Sequence, residues 1–165
     1  MNGEDDKIKA SESEEANTSE GKVVAFWNER YSVTITHIDD QHRELLRLTA
    51  EMYEFCRQNS KNIQEQFRIS VRKIVEHIKQ HFNTEEHIME RISFPDISNH
   101  KREHENFIKK ILEEVKKFDT TEDFIYVVFV RFLREWFLNH ISIWDIEYAK
   151  YIIQLKKKGE LNIIP

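Results

Sequence analysis

The amino-acid sequence predicts an all-α fold, an up-down-up-down four-helix bundle preceded by an N-terminal lead-in. The first observation is composition: the 165 residues include only 3 Gly and 2 Pro, and 33% are charged, which favours long helices with solvated outer faces. The second is the helical spacing of apolar residues in four segments. The third is that short breaks separate these segments, because short connections make neighbouring helices antiparallel.

The four segments follow a lead-in that runs from residue 23 to residue 38. Apolar residues recur in each segment at intervals of three and four, so they share one face of a helix. Members of the four faces, in chain order, are Leu45 and Met52, Phe67 and Ile78, Phe107 and Ile111, and Phe129 and Leu133.

Turn-forming residues mark the breaks at 58–62, 93–96 and 119–122. Asp39 is of the residue type that caps a helix N-terminus, so we expect it to cap the first helix. Gly159 follows three lysines, which favour the negative end of a helix dipole, and we expect it to end the fourth helix.

The net charge of −5 lies entirely in the first 20 residues. That stretch holds seven acids and two lysines, which leaves 23 acids and 23 bases in the remainder. The stretch has almost no apolar residues, and such composition is typical of disorder. We therefore expect a disordered acidic tail at 1–21, the helical bundle at 22–158 and a C-terminal tail at 159–165.

Several function classes are disfavoured by the same composition. The body of the chain has no basic excess for nucleic acid. No apolar run approaches the roughly 20 residues that span a bilayer. The N-terminus is acidic where a secretory signal would be basic, and the single cysteine, Cys56, cannot form an internal disulfide. We expect a cytoplasmic protein that binds neither nucleic acid nor membrane.

Each predicted helix carries histidine or carboxylate on its apolar face. A single core histidine is usually a hydrogen-bonded packing residue, and a buried carboxylate must be paired, protonated or bound to metal. When all four helices carry such residues, a common site is the better explanation. The candidate ligands are His42, His81, Glu85, His100, His104, His140 and Asp145.

The positions of these residues predict that they meet in one layer. In antiparallel helices, residues equidistant from the connecting turn lie at the same height. The midpoint of His42 and His81 falls at about position 61, inside the first break, and the later groups have midpoints at about 92 and about 122, beside the other two breaks. All seven side chains should therefore lie at one level of the bundle.

The spacing within each helix is that of metal ligands. The pairs His81 and Glu85, and His100 and His104, are four residues apart and lie one above the other on a helix face. His140 and Asp145 are five apart, about 140° round an ideal helix. We predict either an approach from opposite flanks or a π-type irregularity between them, since π-bulges often occur at functional sites.

Five imidazoles and two carboxylates exceed what one metal ion can use, so we expect two ions. Nitrogen and carboxylate ligands without thiolate suit iron, with manganese or zinc possible on geometry. Cys56 lies about four turns from His42 and is expected to be core packing. His37, His77 and His87 fall outside the seven-residue pattern.

The residues that carry this pattern resemble those of the hemerythrin family, specifically the bacterial single-domain type. The resemblance covers roughly residues 23–155. Thr34 and Ser93 stand where the family often has glycine, which leaves the conformation of two loops open. The matching elements are Trp27, Tyr31-Ser32-Val33, Ile38-Asp39-Asp40-Gln41-His42, His81-Phe82-Asn83-Thr84-Glu85-Glu86, Pro95, His100 with His104, and Trp136, His140-Ile141, Asp145 and Tyr148.

By that resemblance the cofactor is a pair of iron ions in an oxo- or hydroxo-bridged centre. His100, His104 and His140 would bind one iron, His42 and His81 the other, and Glu85 and Asp145 would bridge both. The iron with two histidines would keep an open position for molecular oxygen, in a dry apolar pocket. The residues expected to line that pocket are Leu45, Phe82, Trp136, Phe137 and Ile141.

The function expected from the resemblance is reversible binding of oxygen, for storage, delivery or sensing, without enzymatic turnover. A sensing role would require a separate protein partner, which the sequence does not identify. The alternative is a di-iron oxidoreductase that acts on nitric oxide or peroxide. The histidine-rich ligand set favours binding over oxidation chemistry, because it places less negative charge on the irons than a carboxylate-rich set does.

Overall fold

The computed structural model describes residues 27–58, 61–120 and 124–160. A short 3₁₀ turn at Glu29–Tyr31 precedes the helices, and the described ranges contain no strand. The all-α prediction is confirmed. The predicted acidic tail at 1–21 and most of the predicted C-terminal tail lie outside the described residues. The helices are α1 (Thr36–Arg57), α2 (Ile63–Arg91), α3 (Ile97–Thr120), α4 (Tyr126–His140) and α5 (Ile146–Lys158).

The fourth helix of the bundle is continuous from α4 through a π-helical segment at Ile141–Asp145 into α5. Helix α1 packs against α2 and α4, and α2 packs against α3. The four-helix bundle that the breaks predicted is therefore the observed architecture. No helix in the described ranges combines the length and the apolar character that crossing a membrane requires.

Two of the three apolar clusters in the described residues fill the interior on either side of the predicted ligand layer. The larger runs through the body of the bundle and includes Phe82 and Phe137, together with the buried Cys56. The smaller contains Met89 and Tyr148. Along α2 the order is Phe82, then Glu85, then Met89, so the carboxylate lies between the two clusters. Cys56 is core packing, as predicted.

The fourth helix ends at Gly159, as predicted, but the first helix is not capped by the residue that the sequence predicted. Gly159 adopts the left-handed conformation, with φ 70°, and ends α5. Helix α1 begins after Ile35, which forms no side-chain cap. The prediction that Asp39 caps α1 was wrong. Its carboxylate instead accepts hydrogen bonds from the Val33 backbone N–H (2.8 Å) and the Ser32 hydroxyl (2.6 Å), which ties the lead-in to the first helix.

Thr34 and Ser93 both have the positive φ that glycine tolerates best, at 61° and 52°. These are the two positions at which the hemerythrin family, which the sequence resembles, often has glycine. The loops therefore keep a left-handed conformation although the residues have a Cβ, which costs an L-residue about 1–2 kcal/mol. The chain stores local strain at both loops.

Replacing Thr34 by glycine should relieve that strain. The Thr34→Gly variant is expected to raise the free energy of unfolding by about 0.5–1 kcal/mol, since the relief exceeds the entropy that glycine adds to the unfolded chain. Thr36→Gly is the matched control, because Thr36 lies in α1 and glycine there should lower stability by a few tenths of a kcal/mol. Urea unfolding of the metal-free proteins measures both, and a Thr34→Gly variant less stable than the parent would contradict the strain.

Candidate metal centre

The structure brings all seven predicted ligands into one buried layer. None of the seven residues is more than 2% exposed. Their nitrogen and oxygen atoms form two groups, each suited in composition and spacing to one metal ion. One group contains Glu85, His100, His104 and His140, and the other contains His42, His81, Glu85 and Asp145.

The first group is a cluster of three imidazoles around one carboxylate oxygen. The Nε2 atoms of His104 and His140 are 3.1 Å apart. The Glu85 Oε2 atom lies 3.3 Å from His104 Nε2 and 3.7 Å from His100 Nε2. Imidazole nitrogens bind zinc at about 2.1 Å, so adjacent ligand atoms of an octahedral ion of similar size should be about 3 Å apart. The observed separations are close to that value.

The second group holds two imidazoles, and its carboxylates reach toward the first group. Asp145 Oδ2 lies 3.1 Å from His42 Nε2, while Asp145 Oδ1 lies 3.0 Å from His140 Nε2. Glu85 Oε2 is 3.5 Å from His81 Nε2 and also belongs to the first group. Each carboxylate is therefore positioned between two sets of histidines, the arrangement that a bridging ligand requires.

The π-helical segment aligns Asp145 with His140. The Ile146 N–H bonds to the Ile141 carbonyl, five residues earlier. This wider turn brings residues five apart to one side of the helix, whereas an ideal α-helix would separate them by about 140°. The predicted irregularity between His140 and Asp145 is confirmed, and Asp145 is fully buried.

Many polar atoms of this layer have no hydrogen-bond partner among the residues that the structure describes. The unpartnered atoms are both ring nitrogens of His42 and of His100, His140 Nδ1, Glu85 Oε2 and both oxygens of Asp145. They lie near one another, but the directions of their N–H groups and lone pairs do not match hydrogen bonds. A buried polar group left unpaired is costly, and native proteins satisfy nearly all of them. Metal ions would satisfy the inward-facing atoms of this set.

Two hydrogen bonds leave inner nitrogens free for metal. His81 Nδ1 lies 3.1 Å from Gln41 Oε1, and His104 Nδ1 lies 2.9 Å from Glu86 Oε1. Both acceptors are oxygens, so Nδ1 is the donor and a neutral ring keeps a lone pair on Nε2. Gln41 and Glu86 belong to the motif that carries the family resemblance, but helical spacing does not predict contacts between helices, and by its position off the apolar face Glu86 was expected to be solvated.

Tyr148 holds the remaining oxygen of Glu85. Its hydroxyl donates to Glu85 Oε1 over 2.9 Å, from a side chain that is completely buried. Burial and the neighbouring carboxylates raise the pKa of Tyr148 well above its usual value, so it remains a donor at all ordinary pH values. The bond leaves Glu85 Oε2 facing the histidines.

The charges of the layer balance through the histidines when no metal is bound. Burial lowers the pKa of His81 to about 4. Burial opposes the protonated form of His140 as well, but Asp145 and Glu85 outweigh it and raise its pKa to about 10. Burial and Glu85 act to raise the pKa of Asp145, yet the adjacent His140 and His100 hold it below its usual range. In the metal-free protein, a proton on His140 therefore supplies positive charge beside the two carboxylates, which bound metal ions would otherwise supply.

Aromatic rings pack directly against the first group. Phe82 stacks on His104 with ring centroids 3.6 Å apart, and Trp136 stacks on His140 at 4.3 Å. Of the residues expected to line an oxygen pocket, Leu45, Phe82, Phe137 and Ile141 are buried and Trp136 is half-buried. His77, one of the histidines outside the pattern, bonds through Nδ1 with the Lys73 carbonyl and lies outside both groups.

Known proteins resemble the chain in sequence and in structure. A family model of the hemerythrin HHE cation-binding domain matches residues 33–152. The chain is 30% identical over 140 residues to the bacteriohemerythrin of Stenotrophomonas maltophilia. That alignment covers 85% of this chain and 86% of the relative. It is 28% identical over 125 residues to the bacteriohemerythrin of Clostridium acetobutylicum, 74% of this chain and 96% of that one. A wild-type hemerythrin crystal structure shares the fold, with a TM-score of 0.67 and 23% identity over 77% of this chain and 96% of that one.

Metal binding at this layer should release protons. At pH 7 His140, with a pKa of about 10, carries a proton that a metal ion must displace, and the raised pKa of His100 acts in the same direction. Titrating the metal-free protein with Zn²⁺ in weakly buffered solution should show net proton release, and affinity should fall as the pH is lowered from 8 to about 6. Binding with no proton release and no pH dependence would contradict this assignment of charges.

Proposed function

This chain belongs to the hemerythrin family, and from that premise we propose that it binds molecular oxygen reversibly at a non-haem di-iron centre held by its seven buried ligands. The observation that carries the proposal is the pairing of the two ligand groups, which share Glu85 and differ in their number of histidines. His100, His104 and His140 would hold one iron, and His42 and His81 the other. Glu85 and Asp145 would bridge the two.

The unequal number of histidines supports binding of a small ligand at one end. Three histidines and two bridging carboxylates would fill most positions of one ion, whereas only two histidines at the other would leave it with a vacant position. A bound pair of ferrous ions supplies the electrons and the open coordination position that reversible oxygen binding requires. The chain's own task is to hold both ions and to keep that position accessible only to small, uncharged molecules.

The apolar surroundings support the exclusion of water. The larger apolar cluster, which includes Leu45, Phe82 and Phe137, lies on one side of the ligand layer, and the smaller cluster with Met89 and Tyr148 lies on the other. We propose that Leu45, Phe82, Trp136, Phe137 and Ile141 line the oxygen pocket. A dry, apolar pocket wall would slow the loss of bound oxygen in a reduced form, which would leave the irons oxidised, and so would preserve reversibility.

The ligand set favours storage, delivery or sensing of oxygen over enzymatic turnover. Five neutral imidazoles and two carboxylates place less negative charge on the metals than the carboxylate-rich sites of di-iron enzymes in helical bundles. Less negative charge stabilises highly oxidised iron less well. A sensing role would also need a protein partner that responds to the state of the centre.

Oxygen cycling of the iron-loaded protein tests the proposal. We expect about two irons per chain and an optical absorption that appears with oxygen and disappears when oxygen is removed, over repeated cycles. Absence of a reversible spectral change in a protein that holds both irons would contradict oxygen binding. Rapid consumption of nitric oxide or peroxide with an electron donor would instead support the di-iron oxidoreductase.

Removing His81 should eliminate one end of the centre. His81→Ala is expected to lose the iron of the two-histidine group and all reversible oxygen absorption, while far-ultraviolet circular dichroism keeps the helical signal. His87→Ala is the matched control, because His87 lies on the same helix with an exposed side chain. The assignment of His81 fails if His81→Ala retains both irons and the oxygen spectrum.

A further inference from the structure

Gln41 links α1 to the outer face of a ligand on α2. It is half-buried and directly precedes His42. Its Oε1 atom lies 3.1 Å from His81 Nδ1, and its Nε2 atom donates to the Thr84 hydroxyl over 3.2 Å. One amide side chain thus contacts a predicted ligand with its oxygen and a neighbouring residue of the same helix with its nitrogen.

The hydrogen bonds of Thr84 determine which way this amide points. The Thr84 hydroxyl donates its one hydrogen to the Gln80 carbonyl over 2.8 Å. Toward Gln41 it can therefore only accept, which requires the NH₂ group of Gln41 on that side. The amide oxygen must then face His81. His81 donates from Nδ1, and its Nε2 lone pair points inward, toward Glu85 Oε2 at 3.5 Å.

Glu86 plays the corresponding part at the other end of the site, with a different charge. Its carboxylate accepts from His104 Nδ1 over 2.9 Å, and its second oxygen lies 3.6 Å from the Lys101 ammonium. Within the described part of the chain, the outer nitrogens of His42, His100 and His140 have no hydrogen-bond partner. Each metal group therefore contains one histidine held from outside, by a neutral amide in one group and by a carboxylate in the other.

The charge of such a partner changes what the ring gives to a metal. A carboxylate draws the Nδ1 proton toward itself, which makes the inner nitrogen a stronger electron donor and stabilises the more oxidised metal. An amide oxygen orients the ring equally well but adds less electron density. The His81 and His104 rings are thus both held in a fixed orientation, but the inner nitrogen of His104 is the stronger electron donor to a metal.

We propose that Gln41 is a positioning residue for the two-histidine end, and that its neutral amide keeps the iron there easier to reduce than the iron backed by Glu86. This inference rests on the proposed function. The neutral partner favours the ferrous state at the end where oxygen would bind, and so favours release of oxygen over oxidation of the centre. The Glu86 carboxylate would stabilise the more oxidised state of the iron at the three-histidine end.

The orienting role is tested with Co²⁺, a probe that needs neither iron nor oxygen. Gln41→Met retains the size of the side chain and removes the acceptor, and we expect it to weaken binding of one of two Co²⁺ ions by about 10–100-fold. Gln41→Glu restores an acceptor and should bind both ions as tightly as the parent or more tightly. Gln66→Met, on the exposed face of α2, is the matched control and should bind as the parent does.

The charge effect is tested on the iron-loaded protein by its reduction midpoint potential and its rate of autoxidation. Gln41→Glu should lower the potential and raise the autoxidation rate about tenfold or more, whereas Gln66→Glu should change neither. A merely structural role would make Gln41→Met and Gln41→Glu alike, and parental Co²⁺ binding by Gln41→Met would overturn the proposal. Failure of the parent protein to bind oxygen would refute the proposed function. The positioning role of Gln41 would still be decided by the Co²⁺ measurements, because they do not depend on oxygen.

Discussion

The fold depends on burying five imidazoles and two carboxylates in a single layer of a bundle core. Such groups lose their hydration, and unpaired buried charge destabilises a protein strongly. Several inward-facing atoms of this layer, including both oxygens of Asp145, have no hydrogen-bond partner among the described residues even where another polar atom lies about 3 Å away. Bound metal ions would satisfy these atoms together, and the binding energy would then contribute to the folding energy. The apolar clusters on either side supply the hydrophobic burial that holds the layer in place.

Helix geometry converts sequence spacing into this layer. Residues four apart on α2 and on α3 stack on one face, which places His81 above Glu85 and His100 above His104. The π-helical segment Ile141–Asp145 does the same for residues five apart. Tyr148 then turns the Glu85 carboxylate so that one oxygen serves the histidines. The result is an unsymmetrical site, with three histidines at one end and two at the other, backed by partners of different charge.

The meeting of the seven candidate ligands in one layer could be predicted, because polar groups on apolar helix faces are conspicuous and because their equal distances from three turns place them at one height. The five-residue interval from His140 to Asp145 likewise predicted the π-helical irregularity. The cap of α1 was predicted wrongly, because Asp39 bonds to the lead-in rather than to its own helix. The roles of Gln41 and Glu86 depend on contacts between helices, which periodicity within one helix does not encode. The positive φ of Thr34 and Ser93 was signalled only by comparison with a family that has glycine there.

Locating the metals directly tests the central claim, that seven side chains from four helices form one cage for two irons. Anomalous diffraction at the iron edge, from crystals of the iron-loaded protein, measures this without reference to oxygen. Two peaks about 3.5 Å apart are expected inside the layer, one beside His100, His104 and His140 and the other beside His42 and His81. A single peak, or iron bound only at the surface, would contradict it.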